Sequence, residues 1–241
     1  MTDYHSRTEL LLGHEAIIRL RAASVLCVGI GGVGGHTAEM LARAGIGHLT
    51  IVDGDKVEAS NLNRQIVATT ATVGTDKVTA MRERLLSVSP RIEVTAVGKF
   101  LTEQDIAPLL ESSGFDFIAD AIDSVAAKCR LIEKAFELGI PIISSMGAGA
   151  RTDITKIHVV KLAATHHDGL AKAVRKRIGN TKISNSLDVV FSDEEPDSGG
   201  TMESLDGLRK TTVGTVSWIP AAFGCHMARH IILKLTENDR T

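Results

Sequence analysis

The chain has 241 residues, of which 44% are hydrophobic and 3% are aromatic, and its formal net charge is −2 at pH 7. This length is enough to bury a full core in one main domain, and the charge excludes the overall basic footprint of a dedicated nucleic-acid binder. The first seven residues carry no apolar signal core, and no run approaches the roughly 18 apolar residues of a membrane span. We therefore expect a cytoplasmic protein without membrane contact.

Hydrophobic periodicity predicts alternating helices and strands along the chain. We expect an opening helix at 8–21, and strands at 24–29, 49–53, 93–99, 115–120 and 141–144. We expect the intervening helices at 34–44, 77–87, 102–112 and 125–138. Strands separated by helices of this length favour a doubly wound, mainly parallel α/β sheet. We treat residues 1–241 as a single domain, with a nucleotide-binding half at about 1–150 and a smaller substrate-side extension at about 151–241.

A glycine-rich turn follows the first predicted strand. Residues 29–34 are Gly-Ile-Gly-Gly-Val-Gly. Gly29, Gly31, Gly32 and Gly34 allow backbone N–H groups and a helix N-terminus to approach a polyphosphate closely. The motif alone indicates only a nucleotide. A nicotinamide dinucleotide is the first rival, because Asp53 stands where the ribose-binding acid of such enzymes is expected.

The polar residues after the second predicted strand separate ATP from a dinucleotide. Asn61, Arg64 and Lys77 are expected to converge on phosphates. Nucleotidyl transfer needs fixed cations there, because charge builds up on the α-phosphate and on the leaving pyrophosphate. A dehydrogenase has no need of such a set. The spacing favours ATP used for adenylation, with Asp53 accepting hydrogen bonds from the ribose hydroxyls.

The combined motifs resemble a known superfamily. Residues 29–34, 53–55, 61–65, Lys77 and 120–124 are similar to the ubiquitin-activating-enzyme superfamily, whose bacterial members adenylate sulfur-carrier proteins in molybdopterin and thiamine synthesis. A further set of segments resembles one branch, the tRNA threonylcarbamoyladenosine dehydratase family: 7–13, 120–124, 139–149 and 214–220. The resemblance implies that ATP adenylates the threonyl carboxylate of threonylcarbamoyladenosine beside the anticodon. The ureido group of the modification would then close a ring and release AMP.

The resemblance also implies roles for individual residues. Asp123 would position Mg²⁺, which needs only one or two carboxylates besides phosphate oxygens. Gln65 would orient the neighbouring arginine or the adenylate, and Asp55 and Asp120 are either site residues or helix caps. Arg7 would reach the ATP of the second subunit in a homodimer, as an arginine finger does. The predicted catalytic set is Arg64, Lys77, Asp123 and Arg7.

The second half of the chain contains the densest basic cluster. After a strand expected at 156–162, a helix expected at 169–178 carries Lys172, Arg175, Lys176 and Arg177. These cations would contact tRNA phosphates, or they form an ordinary solvated helix face. An acidic, glycine-rich loop is expected at 191–208, followed by a strand pattern at 213–219 and a closing helix at 220–235.

The histidines and the three cysteines, Cys27, Cys129 and Cys225, bear on metal and thiol chemistry. No two cysteines form a short chelating pair, and none lies in a late crossover loop, so we expect neither zinc nor a thioester. His226 and His230 lie one helical turn apart but lack a third ligand.

Two alternatives stay open: an adenylyltransferase acting on the Gly-Gly tail of a sulfur-carrier protein, and a non-catalytic adaptor that docks a sulfur-transfer partner such as a cysteine desulfurase.

Overall fold

The computed structural model describes residues 4–112, 114–197, 199, 201–202 and 212–237. Its main sheet has seven strands in the order β3-β2-β1-β4-β5-β7-β6. They are β1 (Ser24–Val28), β2 (His48–Val52), β3 (Glu93–Val97), β4 (Phe117–Asp120), β5 (Ile142–Ser145), β6 (Ile157–Lys161) and β7 (Asp188–Ser192). Neighbouring strands pair in parallel except β6 and β7, which are antiparallel. The predicted doubly wound, mainly parallel sheet is confirmed.

Helices cover both faces of this sheet. They are α1 (Ser6–Leu12), α2 (His14–Ala22), α3 (Gly32–Ala44), α4 (Lys77–Val88), α5 (Glu103–Glu111), α6 (Val125–Leu138), α7 (Gly169–Ile178), α8 (Thr181–Ser186) and α9 (Trp218–Thr236). Helices α2, α3, α4 and α9 bury apolar residues on one face, and α5, α6 and α7 on the other. Strand β1 shows why both faces are filled, because Val25 and Cys27 pack on the first face while Leu26 and Val28 pack on the second.

Two predicted elements differ from the structure because of local backbone chemistry. The single opening helix is wrong: Gly13, with φ of 88°, separates α1 from α2. A residue with a side chain is disfavoured at that φ, whereas glycine adopts it readily. The strand pattern at 213–219 is also wrong beyond a two-residue strand, β9 (Thr212–Val213), because α9 already begins at Trp218. Pro220 is tolerated there, since the first helical turn has no intrahelical acceptor for its N–H groups.

The region between α7 and α9 contains elements that the sequence did not predict. Strand β7 lies between β5 and β6, and its residues Val189, Val190 and Phe191 are buried. The loop expected at 191–208 therefore begins later, and it contains strand β8 (Thr201–Met202), which pairs with β9. Residues 198, 200 and 203–211 lie outside the described part of the chain.

The order of the strands places a ligand crevice between β1 and β4. From β1 the chain runs outwards to β2 and β3, and then returns to β4 on the other side of β1. Open α/β sheets bind ligands at this switch, beyond the carboxyl ends of the strands. Among the described helices, none combines the length and apolarity needed to cross a bilayer.

Candidate active site

A pocket of about 620 Å³ opens at the carboxyl ends of β1, β2, β4 and β5. All four segments that the sequence placed at strand ends, 29–34, 53–55, 120–124 and 144–149, contribute to its wall. The predicted nucleotide-binding residues that line it are Gly29, Gly31, Gly32, Asp53, Asp55, Asn61, Arg64, Gln65, Lys77 and Asp123. The fold therefore brings together residues that are spread between positions 29 and 123 of the chain.

The glycine turn is held by close backbone contacts. Gly29 has φ of +85°, and a Cβ there would lie 2.6 Å from the carbonyl oxygen of Ala121 in the β4–α6 turn. A Cβ on Gly34 would collide with the carbonyl oxygen of Gly29. Gly34 thus permits α3 to pack against the turn and is absent from the pocket lining, whereas Gly31 and Gly32 form the wall itself.

Asp53, at the end of β2, is tied to the glycine turn. Its Oδ2 accepts a hydrogen bond from the backbone N–H of Ile30 at 2.6 Å, and its Oδ1 accepts one from the N–H of Asp55 at 2.8 Å. A carboxylate can accept about four hydrogen bonds. Asp53 therefore fixes the turn and keeps acceptor capacity on the pocket side.

Lys77 begins α4 and is almost wholly buried, with 6% of its side chain exposed. Its Nζ donates to Asp55 Oδ2 at 2.8 Å, and its backbone N–H donates to the Asp55 carbonyl oxygen at 2.9 Å. Asp55 is consequently the partner of Lys77 and not the N-cap of α4, which is Asp76. An ammonium has three donors. The contact to Asp55 therefore anchors Lys77 in the pocket lining.

Asn61 ends a tight 3-10 turn at Ala59–Asn61, and Arg64 follows it. One Arg64 nitrogen donates to the Ser60 carbonyl oxygen and to Asn63 Oδ1, both at 2.9 Å. The Asn61 Oδ1 accepts the Glu58 N–H at 3.1 Å and closes the turn. Asn61 thus shapes the segment that presents the remaining donors of Arg64 to the pocket.

Gln65 and Asp123 present oxygens to the pocket. Gln65 is 8% exposed, and among the described residues its buried Oε1 has no hydrogen-bond partner. Buried polar atoms are rarely left unpaired in native proteins, so this oxygen is suited to accept a hydrogen bond from a ligand. The Asp123 carboxylate stands exposed on the opposite wall, immediately before the N-terminus of α6.

A buried polar network beneath this wall was not predicted from the sequence. Lys128 and Asp120 are both fully buried, and the Lys128 Nζ lies 2.7 Å from Asp120 Oδ2. The same ammonium donates to Ser144 Oγ at 2.9 Å and to the Ser145 carbonyl oxygen at 3.0 Å. A lysine in the middle of a helical pattern gives no sequence signal of such burial, and Asp120 is neither a helix cap nor a pocket residue.

A second buried pair braces the neighbouring wall. The Arg151 guanidinium lies 3.6 Å from Asp168, and Asp168 accepts the N–H of Gly147 at 2.9 Å. Burial lowers the pKa of Arg151, while the charges of Asp168 and Glu194 act in the opposite direction. The pair joins the 147–151 segment to the start of α7. Neither residue belongs to a motif that was recognised in the sequence.

The remaining predicted site residues lie away from the pocket. Arg7 is an exposed residue of α1. In α7, Lys172 and Lys176 are exposed, and Arg177 pairs with Glu103 at 2.9 Å. Arg175 points inwards, where it donates to the carbonyl oxygen of Thr165 at 3.0 Å and to its Oγ1, so its guanidinium is not part of a free basic surface.

Burial raises the pKa values of the thiols and lowers those of the two helical histidines. Burial raises the pKa of Cys27 to about 12 and that of Cys129 to about 11. Burial also lowers the pKa of His226 and of His230. Among the described residues, no three His, Cys, Asp or Glu side chains converge as a metal site.

The chain is similar to known proteins along its whole length. The model of the ThiF family matches residues 5–241. The tRNA threonylcarbamoyladenosine dehydratase of Bacillus subtilis (strain 168) is 34% identical, over 99% of this chain and 96% of its own. The chain belongs to the ThiF family. Within the ThiF family, the Escherichia coli tRNA N6-threonylcarbamoyladenosine dehydratase, solved in complex with ATP, superimposes with a TM-score of 0.88 at 35% identity, covering 96% of this chain and 93% of that one.

An adenylyltransferase is similar over a shorter stretch. The molybdopterin-synthase adenylyltransferase of Escherichia coli (strain K12) is 38% identical over 141 residues, which is 58% of this chain and 54% of the relative. The dehydratases therefore share the full length of the chain, and the adenylyltransferase shares little more than half of it.

Proposed function

We propose that this chain is an ATP-dependent tRNA threonylcarbamoyladenosine dehydratase that acts in the cytoplasm. The observation that carries the proposal is the match to dehydratases over nearly the whole chain. The residues of the predicted ATP-binding motif line one pocket in this chain. The dinucleotide alternative is the weaker one, because Arg64 and Lys77 add two cations to the pocket that hydride transfer does not need.

The pocket offers each part of ATP a complementary group. The N–H groups of the glycine turn and the start of α3 suit the phosphates, and Asp53 suits the ribose hydroxyls. Lys77 and the free donors of Arg64 suit the α-phosphate and the leaving pyrophosphate, where negative charge develops. Gln65 Oε1, which has no partner among the described residues, is supplied with a donor by a bound nucleotide or substrate.

Asp123 is the residue that would hold Mg²⁺. Its carboxylate is exposed on the pocket wall and offers the hard oxygen that Mg²⁺ prefers, while phosphate oxygens and water complete an octahedron. When bound, the ion neutralises charge on the phosphates. The donor set in the pocket therefore fits the ion, with Asp123 as the single acidic ligand.

The reaction follows from this arrangement in two steps. A threonyl carboxylate oxygen attacks the α-phosphorus of ATP, and the bond to pyrophosphate breaks. The ureido group of the same modified nucleoside then attacks the activated carbonyl carbon, loses its proton and expels AMP. Because nucleophile and electrophile belong to one substrate, ring closure benefits from proximity, and no enzyme thiol is needed.

The surface that contacts tRNA is smaller than the sequence suggested. We infer that Lys172 and Lys176 of α7 contact tRNA phosphates, since both are exposed. Arg177 is balanced by Glu103, and Arg175 is used inside the fold. Leu170, at the start of the same helix, lines the ATP pocket, so the two lysines lie on the element that leads into the site.

A homodimer would complete the site. Leu10 and Leu11 of α1 are 88% and 84% exposed, and Arg7 lies three and four residues before them on the same helical face. An apolar face carrying an arginine suits a second copy of the chain, which would bury the leucines and direct Arg7 at its ATP.

The leading alternative is adenylation of a sulfur-carrier protein, in concert with a sulfur-transfer partner. Nucleoside mass spectrometry of tRNA from a deletion strain separates the two. Loss of cyclic threonylcarbamoyladenosine, restored by the wild-type gene, is the expected result. Pyrophosphate exchange stimulated by a carrier protein and not by tRNA would favour the alternative instead.

A further inference from the structure

The buried network of Lys128, Asp120 and Ser144 joins two segments of the pocket lining, the Asp123 turn and residues 145–148. Asp120 ends β4 and Ser144 is its register partner on β5. Asp120 Oδ2 accepts hydrogen bonds from both Lys128 Nζ and Ser144 Oγ, at 2.7 and 2.6 Å. All three ammonium donors of Lys128 are used, and its side chain is 0% exposed.

Each end of this network leads directly into the pocket lining. Asp120 Oδ1 accepts the N–H of Ile122 at 3.0 Å, and Asp123 is the next residue. On the other side, Lys128 holds the carbonyl oxygen of Ser145, the first of the pocket residues 145–148. One ammonium thus fixes the turn that carries Asp123, the proposed Mg²⁺ ligand, relative to the 145–148 segment of the pocket lining.

The energetics of burial indicate that the network contributes a fixed geometry and little net stability. An ion pair taken wholly out of water recovers in attraction roughly what it loses in hydration, and an apolar pair of the same volume stabilises a fold as well or better. Fully satisfied buried networks do, however, hold their members in one arrangement. The reacting groups of an enzyme gain from such fixed separation.

We propose that Lys128 is a positioning residue for the dehydratase reaction. Through Asp120, Ser144 and Ser145, it holds the Asp123 turn and the 145–148 wall at a fixed separation. This role of Lys128 rests on the proposed function, because the reaction whose groups are aligned is adenylation followed by ring closure. The ribose and phosphate groups of ATP are held elsewhere, by the glycine turn, Asp53 and Lys77. Loss of the network would therefore leave these ATP contacts in place and affect the bound nucleotide only through Asp123 and its Mg²⁺.

The test is the double variant Lys128→Met/Asp120→Asn, because Lys128→Met alone leaves a carboxylate buried without its partner. In tRNA-dependent AMP release we expect kcat to fall by about 10-fold or more while KM for ATP changes by less than about threefold. We also expect faster amide hydrogen exchange in peptides covering 121–124 and 145–148, with the remaining core protected as in the wild type. The matched control is Lys134→Met on the same helix, whose ammonium pairs with Glu111 at the surface end of α6.

The proposal is overturned if the folded double variant keeps kcat within about twofold of the wild type, if exchange in both segments is unchanged, or if Lys134→Met loses turnover to the same extent. Ser144→Ala keeps the ion pair and removes one hydroxyl, which accepts from Lys128 and donates to Asp120, so it tests the proposal where the double variant does not fold. It should still lower kcat and loosen 145–148, and wild-type values for both would reject the proposal. A wild-type protein that releases no AMP with tRNA contradicts the proposed function, whereas hydrogen exchange still reports whether the network fixes the two walls.

Discussion

The cations of the pocket and the cations of α7 are used in different ways. At the pocket, the Asp55 carboxylate anchors Lys77, and oxygens of Ser60 and Asn63 anchor Arg64. Both cations line the cavity. In α7, one arginine is turned into the fold and another is paired with an acid of α5. Positive residues are more densely spaced in the sequence of α7. The cations that line a cavity, however, are those of the pocket. The partners of a cation, more than the number of cations, decide which of them can meet a ligand.

The largest effect is expected in the pocket. Arg64→Ala, Lys77→Ala and Asp123→Ala should each lower turnover by on the order of 10²-fold or more, because each removes a group facing charge that develops in adenylation. Turnover is measured as AMP released with tRNA, with circular dichroism as the control for folding. Near wild-type turnover in any of the three would remove that residue from the mechanism.

The next effect tests whether a cation from α1 acts across a dimer. Leu10→Asp should shift the protein from dimer to monomer in light scattering, because a charge replaces an apolar side chain at the interface. Arg7→Ala should keep the dimer and lower turnover by about 10-fold or more, as loss of an arginine finger does. Mixing Arg7→Ala with Lys77→Ala subunits should restore part of the activity if Arg7 acts in trans. A monomeric wild type would reject this arrangement.

The two exposed lysines of α7 test how far the two regions differ. Lys172→Ala/Lys176→Ala should weaken tRNA binding and reduce the salt slope by about 2, one for each tRNA phosphate that is no longer neutralised. Arg177→Ala is the matched control from the same helix and should leave the slope nearly unchanged, since Glu103 already neutralises it. ATP binding should be unaffected in both. Identical slopes for the lysine variant and the wild type would assign α7 to the solvated surface.

Arg175 should show the opposite behaviour, with an effect on stability. Arg175→Ala removes the side-chain donor to the carbonyl oxygen of Thr165, and a buried acceptor left without its donor costs about 1–3 kcal/mol. For a chain of this size we expect the melting temperature to fall by roughly 2–4 °C for each kcal/mol. The salt slope of tRNA binding should not change. A stable variant with a flatter slope would return Arg175 to the tRNA surface.

The smallest effect concerns the cysteines, which serve neither region. Cys27→Ser, Cys129→Ser and Cys225→Ser should retain turnover once folded. Because the pKa of Cys27 is about 12 and that of Cys129 about 11, both are thiols at neutral pH and no thiolate forms until well above pH 9. The pH profile of turnover should therefore be the same in each variant. A folded but inactive Cys225→Ser protein would indicate thioester chemistry.

The parts of the fold that the sequence predicted share a physical basis. Local spacing in the sequence predicts the glycine turn, the position of Asp53 and the helix at 125–138. Helix α6 runs over Val125–Leu138 as expected. Strand β7 was missed because its run of buried residues, Val189 to Phe191, is short and merges with the acidic segment after it. Lys128 and Arg151 were missed because their importance comes from partners in other segments of the chain. Tertiary pairing of that kind leaves no trace in local periodicity.

The bond between Asp53 and the glycine turn has a consequence for nucleotide recognition. Its carboxylate already accepts the N–H groups of Ile30 and Asp55, so Asp53 orders the glycine turn before any ligand binds. A ligand that meets a preorganised site does not bear the entropy of arranging it. In the proposed ATP complex, where Asp53 would meet the ribose and the turn the phosphates, a change at Asp53 should therefore weaken binding of both parts of the nucleotide.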